Sequence, residues 1–123
     1  MAAIQTIAVP VTTTGADGSA TGSASVDTQF GFLLDAYLDY GATAPNTTDV
    51  TIAHAGVWGN LLVVSDNATD GRYAPRSALV DTSAAAITGA YDYLPINGPL
   101  TVSVAQANAL APCVTVYLRI YRP

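Results

Sequence analysis

Phe30-Gly31-Phe32-Leu33-Leu34-Asp35-Ala36-Tyr37-Leu38-Asp39-Tyr40 is the most regular stretch of this chain. Phe32, Leu34, Ala36, Leu38 and Tyr40 share one phase of a two-residue repeat, and Leu33, Asp35, Tyr37 and Asp39 share the other. Alternation of this kind fits a half-buried strand better than a helix, whose apolar positions recur every three or four residues. Residues 41–48, with Pro45 and Asn46, then read as a turn region, and residues 49–55 resume the strand pattern with Val50 and Ile52 in phase. Residues 60–65 (NLLVVS) form a nearly continuous apolar run, which predicts a central, buried strand.

Composition extends this reading to the whole chain. Among its 123 residues there is no lysine and no glutamate; the four basic residues are Arg72, Arg76, Arg119 and Arg122, and the nine acids are all aspartates. Lysine and glutamate are good helix formers and populate exposed helix faces. Threonine, valine and alanine, punctuated by Gly, Pro, Asn and Asp, are instead the composition of strands and turns. The length suits one domain with a core of its own, spanning residues 1–123.

Further strands follow from the same patterns. Residues 4–13 read as extended, and Pro10 directs them to a sheet edge or an arm. Residues 14–25 are small and Gly-rich, either a flexible loop or a flat strand with a bulge, so that residues 1–28 form an extended arm and loop. Residues 72–80 predict a weaker strand broken by Pro75. The alanines of residues 81–90 allow a short helix, and Asn97-Gly98-Pro99 is a strong turn signal. Residues 100–104 and 113–121 alternate regularly and pair as a long-looped hairpin. The fold expected is all-β: a single-domain β-sandwich or jelly-roll-like barrel of about eight or nine antiparallel strands, with an extended N-terminal segment.

Charge excludes several function classes. The net charge of −5 opposes sequence-independent nucleic-acid binding and attraction to anionic membrane surfaces. No segment approaches the roughly 20 apolar residues that cross a bilayer. Cys113 stands alone, so no internal disulfide forms, and the first residues show neither a basic region nor an apolar run of signal-peptide type. Synthesis in a cytoplasm is expected. Only 11% of residues are charged, against about 25% in an average protein, which suits a surface covered by partners.

Catalytic and metal signatures are weak. Asp66-Asn67-Ala68-Thr69-Asp70-Gly71 resembles a calcium loop, but Ala68 stands where an oxygen side chain is required and Ser77 where a glutamate is required, and Asp70-Gly71 is a common hairpin turn pair. His54 has no second His and no nearby Cys or Glu, and reads as structural. Cys113 has no basic neighbour to activate it and reads as a half-buried packing residue. No catalytic residue, metal or cofactor is therefore expected. Asp35 and Arg119 lie on the polar phases of their strands and would form a cross-strand pair if those strands are neighbours. Tyr37, Tyr117 and Tyr121 share those phases, and Trp58 lies in the Gly-flanked stretch Gly56-Val57-Trp58-Gly59. The tyrosines either form a contact face or are covered by a second sheet; Trp58 reads as a contact residue. Ile4, Ile7 and Val9 of the arm complete the candidate interface.

Three stretches carry a resemblance: TTTGADGSATGSASVDTQ (12–29), FLLDAYLDYGATAPNTTDVTI (32–52) and YDYLPINGPLTVSVAQANALAPCVTVYLRIY (91–121). In their Lys-poor, Thr/Ala/Gly-rich, all-β character they resemble small virion structural proteins of tailed bacteriophages, in particular capsid decoration (cement) proteins. The resemblance implies a non-enzymatic role in the virion. It implies binding to the outer lattice of the major capsid protein and bridging of coat subunits, as a homo-oligomer with the trimer favoured, and an N-terminal arm that reaches a neighbour. The alternative expectation is a carbohydrate-binding or adhesion module of a fibre or spike, with Trp58 and the tyrosines stacking on sugars. A small hydrolase has least support, because His54 lacks visible partners.

Overall fold

The structure is a computed structural model describing residues 2–123; Met1, the first residue of the expected arm, lies outside the described residues. The strands are β1 (Ala3–Val11), β2 (Ala20–Tyr40), β3 (Asp49–His54), β4 (Gly59–Val64), β5 (Gly71–Tyr73), β6 (Arg76–Val80), β7 (Ala86–Ala107) and β8 (Val114–Arg122). They form one antiparallel sheet in the order β1-β8-β2-β7-β3-β4, with β5 added to β2 and β6 to β7. The single helical turn among the described residues is the 3-10 segment Gly56–Trp58 between β3 and β4. The all-β, single-domain, sandwich-like expectation is met.

Two long strands make the sheet double over. β2 pairs with β7 from Ala20 to Leu33 and with β8 from Phe32 to Tyr40. One layer therefore holds β1, β8, the second half of β2 and β5; the other holds the first half of β2, the second half of β7, β3 and β4. Register shifts at Thr28/Gly31 and Leu33/Asp35 mark the corner. Bulges bend strands in this way, and bent strands carry a sheet from one layer to the next. Gly31 makes the corner passable: a Cβ there would lie 2.6 Å from Ile120 Cγ2 and 2.7 Å from the Tyr121 carbonyl oxygen.

Valine, leucine and isoleucine from both layers close one core, with Val11, Leu33, Leu38, Val50, Ile52 and Leu118 among its fully buried members. The bulge also explains an anomaly of phase. Leu33 opposes core-facing Ile120, while Asp35, two residues on, opposes outward Arg119; Leu34 is the extra residue between them. Beyond it the expected alternation holds, with Ala36, Leu38 and Tyr40 buried and Tyr37 and Asp39 exposed.

Several expectations are corrected. Residues 60–65 are not a central strand: β4 ends the sheet, pairs only with β3 among the described residues and exposes Val63. Residues 81–90 form no helix. Asp81 Oδ1 accepts the Ser83 and Ala85 amides in a tight turn, after which β7 begins. Asn97-Gly98-Pro99 does not reverse the chain but lies within β7, where Gly98, at φ +93°, supplies the kink opposite the β2 corner and Thr28 Oγ1 donates to its carbonyl at 2.7 Å. β7 and β8 form no hairpin, because β2 lies between them. Of the two readings of residues 14–25, the strand prevails from Ala20, with a register shift at Ala20/Gly22. The N-terminal segment is extended and runs along β8 as an edge strand, paired from Ala3 to Val11. β6 and the first half of β7 form a two-stranded ribbon in which no residue from 76 to 93 is buried.

Candidate functional site

Strand register assembles most of the expected contact residues on the outer face of β1, β8, β2 and β5. Ile4, Tyr121 and Phe32 lie opposite one another in one row; Thr6, Arg119 and Asp35 form the next; Ala8, Tyr117, Tyr37 and Arg72 form the third. Directly opposed residues share a face, so Ile4, Tyr37, Tyr117 and Tyr121 belong to one surface and all are exposed. Among the described residues, no second sheet covers these tyrosines. Ile7 and Val9 lie on the other face: they oppose Leu118 and Val116, on the core side of β1. Val9 is only 4% exposed and Ile7 packs half-buried against the core, so their side chains serve the interior.

Between the aromatic rows lies a charged cluster. Arg119 Nε donates to Asp35 Oδ1 at 2.7 Å and Arg119 Nη2 donates to Oδ2, so the expected cross-strand pair forms with two-pronged geometry. Arg72 Nη1 stands 3.5 Å from Asp35 Oδ2. Arg76 Nη1 donates to the carbonyls of Leu34 and Pro75, both at 2.9 Å, and its guanidinium lies 4.2 Å from the centre of the Tyr93 ring. The Asp35 side chain is only 7% exposed. Burial favours its neutral form, but the Arg119 hydrogen bonds outweigh this, helped by the charges of Arg119, Arg72 and Arg76, and hold its carboxyl below the usual carboxylate range. Asp35 in turn pushes the Arg119 guanidinium upward.

The second feature is an apolar groove of about 600 Å³ whose walls include Phe30, His54, Trp58, Leu61, Leu94 and Ile96. Trp58 is 74% exposed, on the turn that reverses β3 into β4, and the preceding Val57 is 92% exposed. His54 braces the groove. Its Nε2 accepts the Asn97 amide at 3.1 Å, which assigns the proton to Nδ1, and Nδ1 donates to the Ala55 carbonyl at 3.1 Å. With both ring nitrogens occupied by backbone, His54 is a strut between β3 and the β7 corner.

The remaining sequence candidates are structural too. Cys113 is fully buried next to β8, and burial pushes its thiol up. In the loop of residues 65–70, Asp70 Oδ1 accepts the Tyr40 amide at 2.8 Å, and the backbone amide of Asp66 donates to Asp49 Oδ1 of β3 at 2.9 Å. This loop joins β4 to β5, which do not pair, so Asp70-Gly71 closes no hairpin. Among the described residues, no three His, Cys, Asp or Glu side chains gather as a metal set.

Sequence reasoning missed three surface features. Arg72 and Arg76 flank Pro75 in a segment that reads as weak strand, with no local sign that β5 lies beside β2. Phe30 precedes the bulge and is exposed at the groove. The ribbon of residues 76–93 exposes Leu79, Val80, Ile87, Tyr91 and Tyr93. Its signal was present, since apolar residues there follow no alternation that would give the ribbon a core side. No protein-family model, curated protein or solved structure matches this chain.

Proposed function

We propose that this chain is a non-enzymatic structural protein of a virus particle, of the tailed-phage capsid decoration type. In this reading it binds the outer lattice of the major capsid protein, bridges coat subunits and associates with itself, with the trimer favoured. The observation that carries the proposal is the ribbon of residues 76–93. It contributes nothing to its own core yet presents two aliphatic side chains at Leu79 and Val80, Ile87, and the rings of Tyr91 and Tyr93. A two-stranded ribbon has marginal stability alone, and exposed apolar patches on a folded protein mark contact surfaces. The tyrosine face of β8 and β2 adds contact area of the kind enriched at interfaces, and many copies on a lattice would bind with avidity.

The test is binding of the purified chain to capsids that lack it, followed by co-sedimentation. Wild type is expected to bind at saturable, lattice-fixed stoichiometry. A Leu79→Asp, Ile87→Asp variant is expected to fold with stability within about 0.5 kcal/mol of wild type, as for surface substitutions generally, and to bind weakly. A stable monomer with no capsid binding overturns the proposal.

A second reading rests on Trp58. Exposed Trp58 and Phe30 both line the groove, a setting suited to stacking on a sugar. In this reading the chain is a carbohydrate-binding module of a fibre or spike. A glycan screen of wild type and Trp58→Ala tests it: capsid binding without any glycan signal removes this alternative.

A further inference from the structure

We propose that the arginine cluster on the outer face of β8, β2 and β5 anchors a carboxylate of an acidic polypeptide segment. The inference rests on the interface reading above and names the chemistry of the partner. Three of the four guanidiniums of the chain, from Arg72, Arg76 and Arg119, gather around the single carboxylate of Asp35. The three guanidiniums outnumber the one carboxylate within the cluster, Asp35; Asp39 lies one row further along the same face of β2, and Asp92 lies beside Arg76 at the margin.

The three arginines are differently employed. Arg119 is clamped by Asp35, and Arg76 by two carbonyls and the Tyr93 ring, so their charges are fixed in place. Arg72 makes one 3.5 Å contact and its side chain is 65% exposed, which leaves most of its donors directed to solvent. Tyr37 sits directly between Arg72 and Tyr117, an aromatic floor beside the free donors. Preorganised guanidiniums next to aromatic rings are the composition of interface hot spots. One observation selects a polypeptide acid. β5 pairs only with β2 among the described residues, so its outer edge offers main-chain groups that an extended peptide continues and a sugar does not.

The probe is a hexa-aspartate peptide, with hexa-asparagine as the neutral control and trigalacturonate as the acidic sugar, read by NMR of the arginine Nε–Hε signals. Hexa-aspartate is expected to shift Arg72 and Arg119 saturably and in a salt-sensitive way, and hexa-asparagine to shift neither. Arg72→Ala is expected to weaken binding about tenfold with an unchanged thermal midpoint, and Arg72→Lys to restore part of the affinity. Absence of saturable shifts, or equal binding by Arg72→Ala, overturns the anchor. Tighter binding of trigalacturonate than of hexa-aspartate overturns the polypeptide assignment. Capsid binding retained by Arg72→Ala would remove the anchor and leave the lattice reading intact. Hexa-aspartate binding by a chain that ignores capsids would do the reverse.

Discussion

Asp35 shows how one residue serves both the fold and the surface. Its carboxylate is covered, and it stays charged because Arg119 donates two hydrogen bonds to it. Its folded pKa lies below the unfolded value, so its contribution to stability is full above the unfolded pKa near 3.8 and is lost as pH falls through the folded one. The urea midpoint of wild type should therefore fall on acidification below about pH 4. In Asp35→Asn that part of the acid dependence should vanish, with stability reduced at neutral pH and approaching that of wild type in acid. An unchanged acid limb in the variant would contradict the role given to the pair. Tyr40 is the opposite case. Its hydroxyl is buried without a hydrogen-bond partner among the described residues. Asn67 exerts a small lowering influence on it, but the Asn67 amide donates to Thr69 O and Tyr73 Oη, each at 3.2 Å. Burial dominates and pushes the phenol up to about 12. A group that resists ionisation when folded destabilises the native state as pH rises past the unfolded value near 10. Tyr40→Phe removes a polar atom that lacks a protein partner, so it is expected to be neutral or to stabilise by up to about 1 kcal/mol, and to flatten the alkaline limb of the unfolding curve.

At the scale of the element, the corner of β2 is the decisive structure. Gly31→Ala places a methyl group against Ile120 and the β8 backbone, and overpacking of this kind costs about 1–3 kcal/mol. Chemical denaturation of the variant measures it, and an unchanged midpoint would show that the corner has slack. The same corner marks where the sequence stops being readable. Tyr37 and Asp39 were legible as outward residues because alternation is local. The switch of face at Leu33 and Leu34 was not, because a bulge is fixed by the partner strand and leaves no pattern of its own. Asn97-Gly98-Pro99 carried a real bending signal, but the signal does not distinguish a reversal from a kink within a strand. The pairing of β7 and β8 through β2 was illegible for a related reason: two alternating runs close in sequence look like hairpin partners until a third strand intervenes. Of the surface sites, the Asp35–Arg119 pair was legible from its matched polar phases. Arg72 entered only through the distant pairing of β5 with β2, and the ribbon was overlooked although Leu79, Val80 and Ile87 follow no alternation that would give it a core side.

On the scale of the whole molecule, a single core serves both layers, so neither is expected to persist without the other. Leu118, fully buried in β8, touches this shared interior. Leu118→Ala should cost about 2–5 kcal/mol, and unfolding should remain one transition, with calorimetric and van't Hoff enthalpies in agreement. Two separated transitions would mean that the layers fold independently. The doubling over of β2 and β7 also has a mechanical consequence. β2 is hydrogen-bonded into both layers, so the layers cannot be prised apart simply by widening the gap between them. A pull along β2 is carried by the β7 ladder over one half of its length and by the β8 ladder over the other. Rupture then requires antiparallel ladders to slip lengthwise, many bonds at once, where an ordinary edge strand would peel away one bond at a time.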